Sequence, residues 1–206
     1  ARRIEPYLKH LLDWNCVAGI DSTQTTLCVT WYEELHQGIY PGETLKPEYE
    51  GDFASQLAAL GKAADYLNSI HGNWKVPWGD VHRLQRVPNK PDVEAAAVAF
   101  NSLSRSLPCP GAPGPLGIVF TVYSVPSVPI LRTARYAIVG SCYVAVVEFG
   151  DRIRAASAVQ FGANAIPRSA HYFDQAELFS QQQLKPAWFY PDEVIANAVH
   201  SYHPGE

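Results

Sequence analysis

A chain of 206 residues is long enough for one domain with its own core. Apolar residues make up 47% and charged residues only 17%, a globular composition in which part of the surface is expected to lie against other chains. The net charge of -4 leaves no basic footprint for nucleic acid, and the longest apolar run, Val144 to Val147, is far too short to span a bilayer, so neither is expected as a partner.

Ile4, Leu8, Leu11 and Leu12 recur at helical spacing and predict a short amphipathic helix ending near Trp14. A second helix is expected from Asp21, which acts as its cap, with Gln24 three residues on closing a capping box. Leu27, Trp31, Tyr32 and Leu35 form its inward stripe, and the segment 38–47 ends it. In the third helix Asp52 is the cap, and Phe53, Leu57, Leu60, Ala64 and Leu67 share one face. Residues 1–72 thus read as helical. From 73 to 135 the pattern breaks into an irregular connection, packed rather than loose because it holds Trp74 and Trp78 among Pro77, Gly79 and Pro88. Within its stretch richest in Pro and Gly, 108–129, the run Ile118 to Tyr123 reads as a short strand.

Residues 136–206 turn to sheet and then helix. Val144 to Val147 predicts a strand covered on both faces, Gly150-Asp151 a turn, and Arg152 to Gln160 the returning strand, with Ile153, Ala155, Ser157 and Val159 on one side. A helix is expected from Asp174 with a capping box to Glu177, and another from Pro191-Asp192-Glu193 with Val194, Ile195, Ala198 and Val199 inward. The whole is an α+β chain in layers.

The chemical motifs are mostly negative. Neither GxGxxG, GxxxxGK[ST] nor HExxH occurs, and His200 with His203 supplies only two ligands, so no cofactor and no metal are expected. The cysteines, Cys16, Cys28, Cys109 and Cys142, show no CxxC spacing; a Cys16–Cys28 bridge and buried free thiols both fit. Ser141 follows Gly140 but lacks the second glycine of a nucleophile elbow, and Cys142 with His171 as a thiol–imidazole pair is weaker than Cys142 as a packed strand residue.

Two segments, YAIVGSCYVAVVEFG from Tyr136 and FGANAIPRSAHYFDQAELF from Phe161, closely resemble the carboxyl-terminal part of the large (beta) subunit of the penicillin amidase family. LLDWNCVAGIDSTQTTLCVTWYEEL and NWKVPWGDVHRLQRV resemble it less strongly, and 107–129 matches little. The family comprises the penicillin, cephalosporin and acyl-homoserine lactone acylases, N-terminal nucleophile hydrolases of four-layer αββα fold. The resemblance implies hydrolysis of a small N-acyl amide by an N-terminal serine, with its α-amino group as base and an asparagine and backbone N–H groups holding the oxyanion. Residue 1 here is Ala1, which has no hydroxyl, and the chain has no methionine. The expectation is a piece released from a longer precursor, with an artificially trimmed start as the other reading. The catalytic residues are then expected upstream, the partners are other chains of the same precursor, and none of the catalytic groups is expected in this chain. By the same resemblance the protein is periplasmic or secreted, although no signal peptide is present in these residues. The rival is a non-catalytic binding or assembly protein that keeps the fold.

Five residues remain as candidates. His82, in WGDVHR, is the pocket candidate, with a packing role beside two tryptophans as its alternative. Arg168, His171, Asp174 and Gln175, all inside the strongest resemblance, are expected to have structural roles, Arg168 and His171 holding the end of the sheet and Asp174 capping a helix.

Overall fold

The computed structural model describes residues 3–36, 52–86, 105–112, 122–123, 133–137 and 139–203. The segment 38–47 and residues 118–121 of the expected strand lie outside them. Three helices form the first unit: α1 (Glu5–Leu12), α2 (Thr23–His36) and α3 (Phe53–His71). Asp52 caps α3 as expected, its carboxylate accepting from Ser55 N at 2.7 Å. Gly72 closes the helix at φ 73, a left-handed conformation that favours glycine. Tyr7, Leu27, Leu60, Ala63, Ala64 and Leu67 form the shared core, with Trp31 and Trp74 packed against it. Trp31 also donates Nε1–H to Gln56 O at 2.9 Å, which satisfies its polar edge beside the apolar contacts. Leu12 and Phe53 remain exposed at the helix ends.

The start of α2 departs from the expectation. Ser22, immediately before Thr23, accepts from Thr25 N at 3.1 Å, so serine rather than Asp21 is the capping group. Asp21 sits one residue too early to reach that N–H. Thr25, Thr26, Val29 and Thr30 are buried as well as Leu27, because α2 packs on both the helical core and the segment that follows α3.

That segment opens with α4 (Trp78–Val81) and runs directly into β1 (His82–Leu84). β2 (Leu107–Pro108) pairs antiparallel with β1; β3 (Val122–Tyr123) lies in a second sheet, and β4 (Arg135–Tyr136) pairs parallel with β1 on its other side. β5 (Val139–Gly140) pairs antiparallel with β3. The third sheet is the hairpin β6 (Tyr143–Glu148) and β7 (Arg154–Val159), in register from Tyr143 opposite Val159 to Glu148 opposite Arg154. After α5 (Ala176–Ser180), β8 (Lys185–Pro186) joins the free side of β7, and α6 (Pro191–Asn197) follows. The architecture is mixed α+β. A second core, with Leu84, Leu107, Cys109, Ala137, Val144, Ala176 and Phe179, ties the β1 sheet to α5 and β6.

Three sequence-based details are corrected. β6 is not covered on both faces: Val144 is buried, but Val146 and Val147 are 59% and 45% exposed, since no described element packs over them. In α6 Val194 and Ile195 are exposed rather than inward, Ala198 and Val199 lie exposed beyond its last residue, Asn197, and the helix is held by polar contacts instead. Arg152 pairs with Asp192 and Glu193, and Tyr190 accepts from Ile153 N at 2.9 Å. Finally, α5 begins at Ala176 without a side-chain cap, because the Asp174 carboxylate is taken by His171 Nδ1 at 2.8 Å.

Substitution in the helical core tests this packing. Leu60→Ala, at a position with no exposure, is expected to cost about 2–5 kcal/mol in chemical denaturation. Leu12→Ala, where the side chain is 84% exposed, should change stability by less than ~0.5 kcal/mol.

Candidate functional site

Four of the candidate residues lie at two centres, one around His82 and the other in the loop that Arg86 holds, with His171, Asp174 and Gln175. Gly79 lets the stretch before His82 approach its neighbours: a Cβ there would lie 2.8 Å from Pro108 Cβ and 2.9 Å from Ile20 Cβ. Trp78 is buried and donates Nε1–H to Gly111 O at 2.7 Å. Its ring stacks on His82, with centroids 4.7 Å apart and planes 17° from parallel. His82 Nδ1 lies 2.8 Å from Cys109 O. A carbonyl only accepts, so Nδ1 carries the proton and Nε2 is the bare nitrogen. Burial lowers the His82 pKa to about 4, opposed by the bond to Cys109 O and assisted by the Arg135 charge. Arg135 in turn pairs with Glu33 of α2. His82 is therefore a neutral imidazole at neutral pH, enclosed by tryptophan and backbone.

Arg83, next along, donates to Gly79 O at 2.7 Å and to both the hydroxyl and the carbonyl of Ser106 at 2.9 Å. Arg86 reaches further. Its Nη1 donates to Asn164 O at 2.8 Å and to Tyr172 O at 2.6 Å, while the guanidinium lies 4.2 Å from the Tyr172 ring centroid and 5.7 Å from that of Phe161. One side chain thus grips both limbs of the 161–175 loop. Sequence reasoning missed Arg86, because its partners lie 78 and 86 residues away and are backbone carbonyls, which carry no residue-type signal.

The loop is closed from inside as well. Asn164 N donates to His171 O at 3.0 Å, Gln175 N to Phe161 O at 2.8 Å, and Val159 N to the Gln175 side chain at 3.1 Å. Gly162 is enclosed: a Cβ would lie 2.3 Å from His171 O and 2.6 Å from Asp174 Oδ1. The structure therefore brings His171, Asp174 and Gln175 together at the end of β7. Arg168, on the same loop, is exposed.

The two least accessible thiols are not activated. Burial pushes the Cys109 thiol up to about 12 and the Cys28 thiol up to about 11, so neither is a thiolate at neutral pH. Cys142 is exposed at the end of the hairpin, where its carbonyl accepts from Gln160 N at 3.0 Å. His171 Nδ1 is engaged by Asp174 rather than by Cys142. A Thr23 Oγ1 to His10 Nε2 contact at 2.8 Å joins α1 to the first turn of α2. Among the described residues no group of three or more His, Cys, Asp or Glu is placed to hold a metal, and no helix is long and apolar enough to cross a membrane.

Among the described residues, two cavities flank the helical unit. One of about 510 Å³ is bounded by the α1–α2 connection, including Trp14, Val17 and Asp21, and by Gln181 and Gln182. The other, about 770 Å³ and apolar, lies between α1 and the first turns of α3, against Leu8, Leu12, Phe53 and Leu57.

Both centres make measurable predictions. The fold holds His82 neutral while the unfolded histidine titrates near 6.5. The unfolded state then takes up the proton first as pH falls. Stability from this group is full above about pH 6.5 and is lost as pH drops toward 4, by about 3 kcal/mol in all. Denaturation midpoints across that range should fall less in His82→Asn, which keeps a donor for Cys109 O. Arg86→Lys keeps the charge but not the fork, and should raise backbone hydrogen exchange across 161–175 while leaving α3 protected. Unchanged exchange in the loop would refute the assignment of Arg86 as its clamp.

The sequence profile of the penicillin amidase family matches residues 1–196, almost the whole chain and every centre described above. No curated protein matches it. The chain belongs to the penicillin amidase family, a family of amide-hydrolysing acylases.

Proposed function

We propose that this chain is the carboxyl-terminal part of an acylase that cleaves small N-acyl amides through an N-terminal serine carried on another chain or an upstream segment. The observation that carries the reading is the family match over residues 1–196. Two features of the site support the division of labour. The buried thiol of Cys109 is held protonated and His82 is enclosed by packing, so these two centres contribute support rather than an attacking group on the amide. The exposed valines of β6 and the exposed apolar side chains of α6 are apolar area that further layers of the same enzyme would cover.

In this reading the reaction runs in two steps. The serine hydroxyl adds to the amide carbonyl, its proton passing to the α-amino group and then to the departing amine, which leaves an acyl ester on the serine. Water, deprotonated by the same amine, adds to the ester and releases the acid. Arg86 and the loop it grips set the end of the sheet on which that machinery rests. A four-layer αββα assembly in a periplasmic or secreted enzyme belongs to the same proposal.

Trapping the acyl group tests it. The complete enzyme is treated with an acylating active-site inhibitor, quenched in acid, and each chain is weighed; the added mass should sit on a partner or segment that begins with serine. Ser141→Ala and Cys142→Ala should retain acyl transfer, whereas loss of a covalent nucleophile lowers the rate by about 10⁶. Label on Ser141 or Cys142, or a loss of that size with the fold intact, would replace this mechanism by an ordinary serine or cysteine hydrolase.

A further inference from the structure

The connection between α1 and α2 carries Cys16 to the first turns of α2, the helix that holds Cys28. Cys16 is exposed and has φ 60, a left-handed conformation that a side chain with a Cβ rarely adopts. The next residue is anchored: Val17 O accepts from Trp14 Nε1 at 3.1 Å and from Thr25 Oγ1 at 3.4 Å, so the connection runs along the first turns of α2. Thr25 and Cys28 lie three residues apart and share a face of that helix. Cys28 is half-buried, within reach of solvent, one turn along that face from the Thr25 that holds Val17. Cys109 is fully buried, and Cys142 belongs to the β6 hairpin.

We propose that Cys16 and Cys28 are a redox-active pair that closes into a disulfide by exchange with a small-molecule disulfide, clamping the α1–α2 connection onto α2. Exposed Cys16 attacks first: its thiolate forms a bond to one sulfur of the disulfide and expels the other half as a thiolate. The thiolate expelled in the first step takes the Cys28 proton, and Cys28 attacks the Cys16 sulfur of the mixed disulfide, which expels the second half. The pair loses two protons and two electrons, and the small disulfide becomes two thiols. Trp14, Asn15, Val17 and Ile20, on the connection being clamped, form one wall of the 510 Å³ cavity. Oxidation therefore stiffens that wall, and reduction releases it.

The test uses the full chain, reduced and then treated with oxidised glutathione. No Lys or Arg lies between Lys9 and Lys46, so the digest must cut before Asp21 to separate the two cysteines. The expected product is the Cys16 peptide joined to the Cys28 peptide with the loss of two hydrogens, separable by dithiothreitol and absent in Cys16→Ser and Cys28→Ser. Joining should be much faster in the folded chain than in urea, and near-ultraviolet circular dichroism before and after should show the fold retained. Hydrogen exchange over residues 14–20 should slow on oxidation. Stable glutathione on Cys16 with no internal link, a Cys16–Cys142 link, or equal rates in folded and unfolded chains would overturn the proposal.

Discussion

The stack of Trp78 on His82 joins the two halves of the molecule. The indole donates to Gly111 O, the imidazole to Cys109 O, and both rings are buried. α4 and β1 are thereby fixed between the helical unit, through Val29 on α2, and the sheet whose other strands are β2 and β4. The geometry requires a flat neutral ring with one donor at position 82. A protonated imidazole in this enclosure would be poorly solvated, which is the physical origin of the depressed His82 pKa.

From that fixed stretch Arg86 extends the order to a distant loop. A guanidinium is suited to the task because its donors point in fixed directions and its flat face packs on aromatic rings. Here it reaches two carbonyls on opposite limbs of the loop and lies over Tyr172. The loop itself has no regular ladder to hold it, so a few polar contacts define its shape. Gly162 is needed because there is no space for a side chain between His171 and Asp174.

The sheet of β6, β7 and β8 shows a different physical state. Its inner contacts, through Val144, Ala158 and Ser157, are buried, whereas Val146, Val147 and Phe149 are exposed. Apolar surface of this kind stabilises a protein only when covered, at roughly 25 cal/mol per Å² removed from water. α6 shares the condition, since ion pairs with Arg152 anchor it to the hairpin turn while its valine and isoleucine side chains face outward. Exposed pairs of this kind contribute little energy and mainly fix orientation.

Local features were legible in the sequence wherever a single segment determines its own structure. The Asp52 cap, the helical stripe through Leu60 and Leu67, the turn at Gly150-Asp151 and the mixed α+β class follow from spacing and turn chemistry, and the family resemblance was carried by contiguous runs such as FGANAIPRSAHYFDQAELF. Competition between neighbours was less legible: Ser22 displaced Asp21 as a cap, and His171 drew Asp174 away from α5. Tertiary structure alone decided the carbonyl partner of His82, the grip of Arg86 and the exposure of β6. Each depends on groups far away in the chain, and two of the three on backbone carbonyls that every residue possesses, so no pattern of side chains along the sequence encodes them.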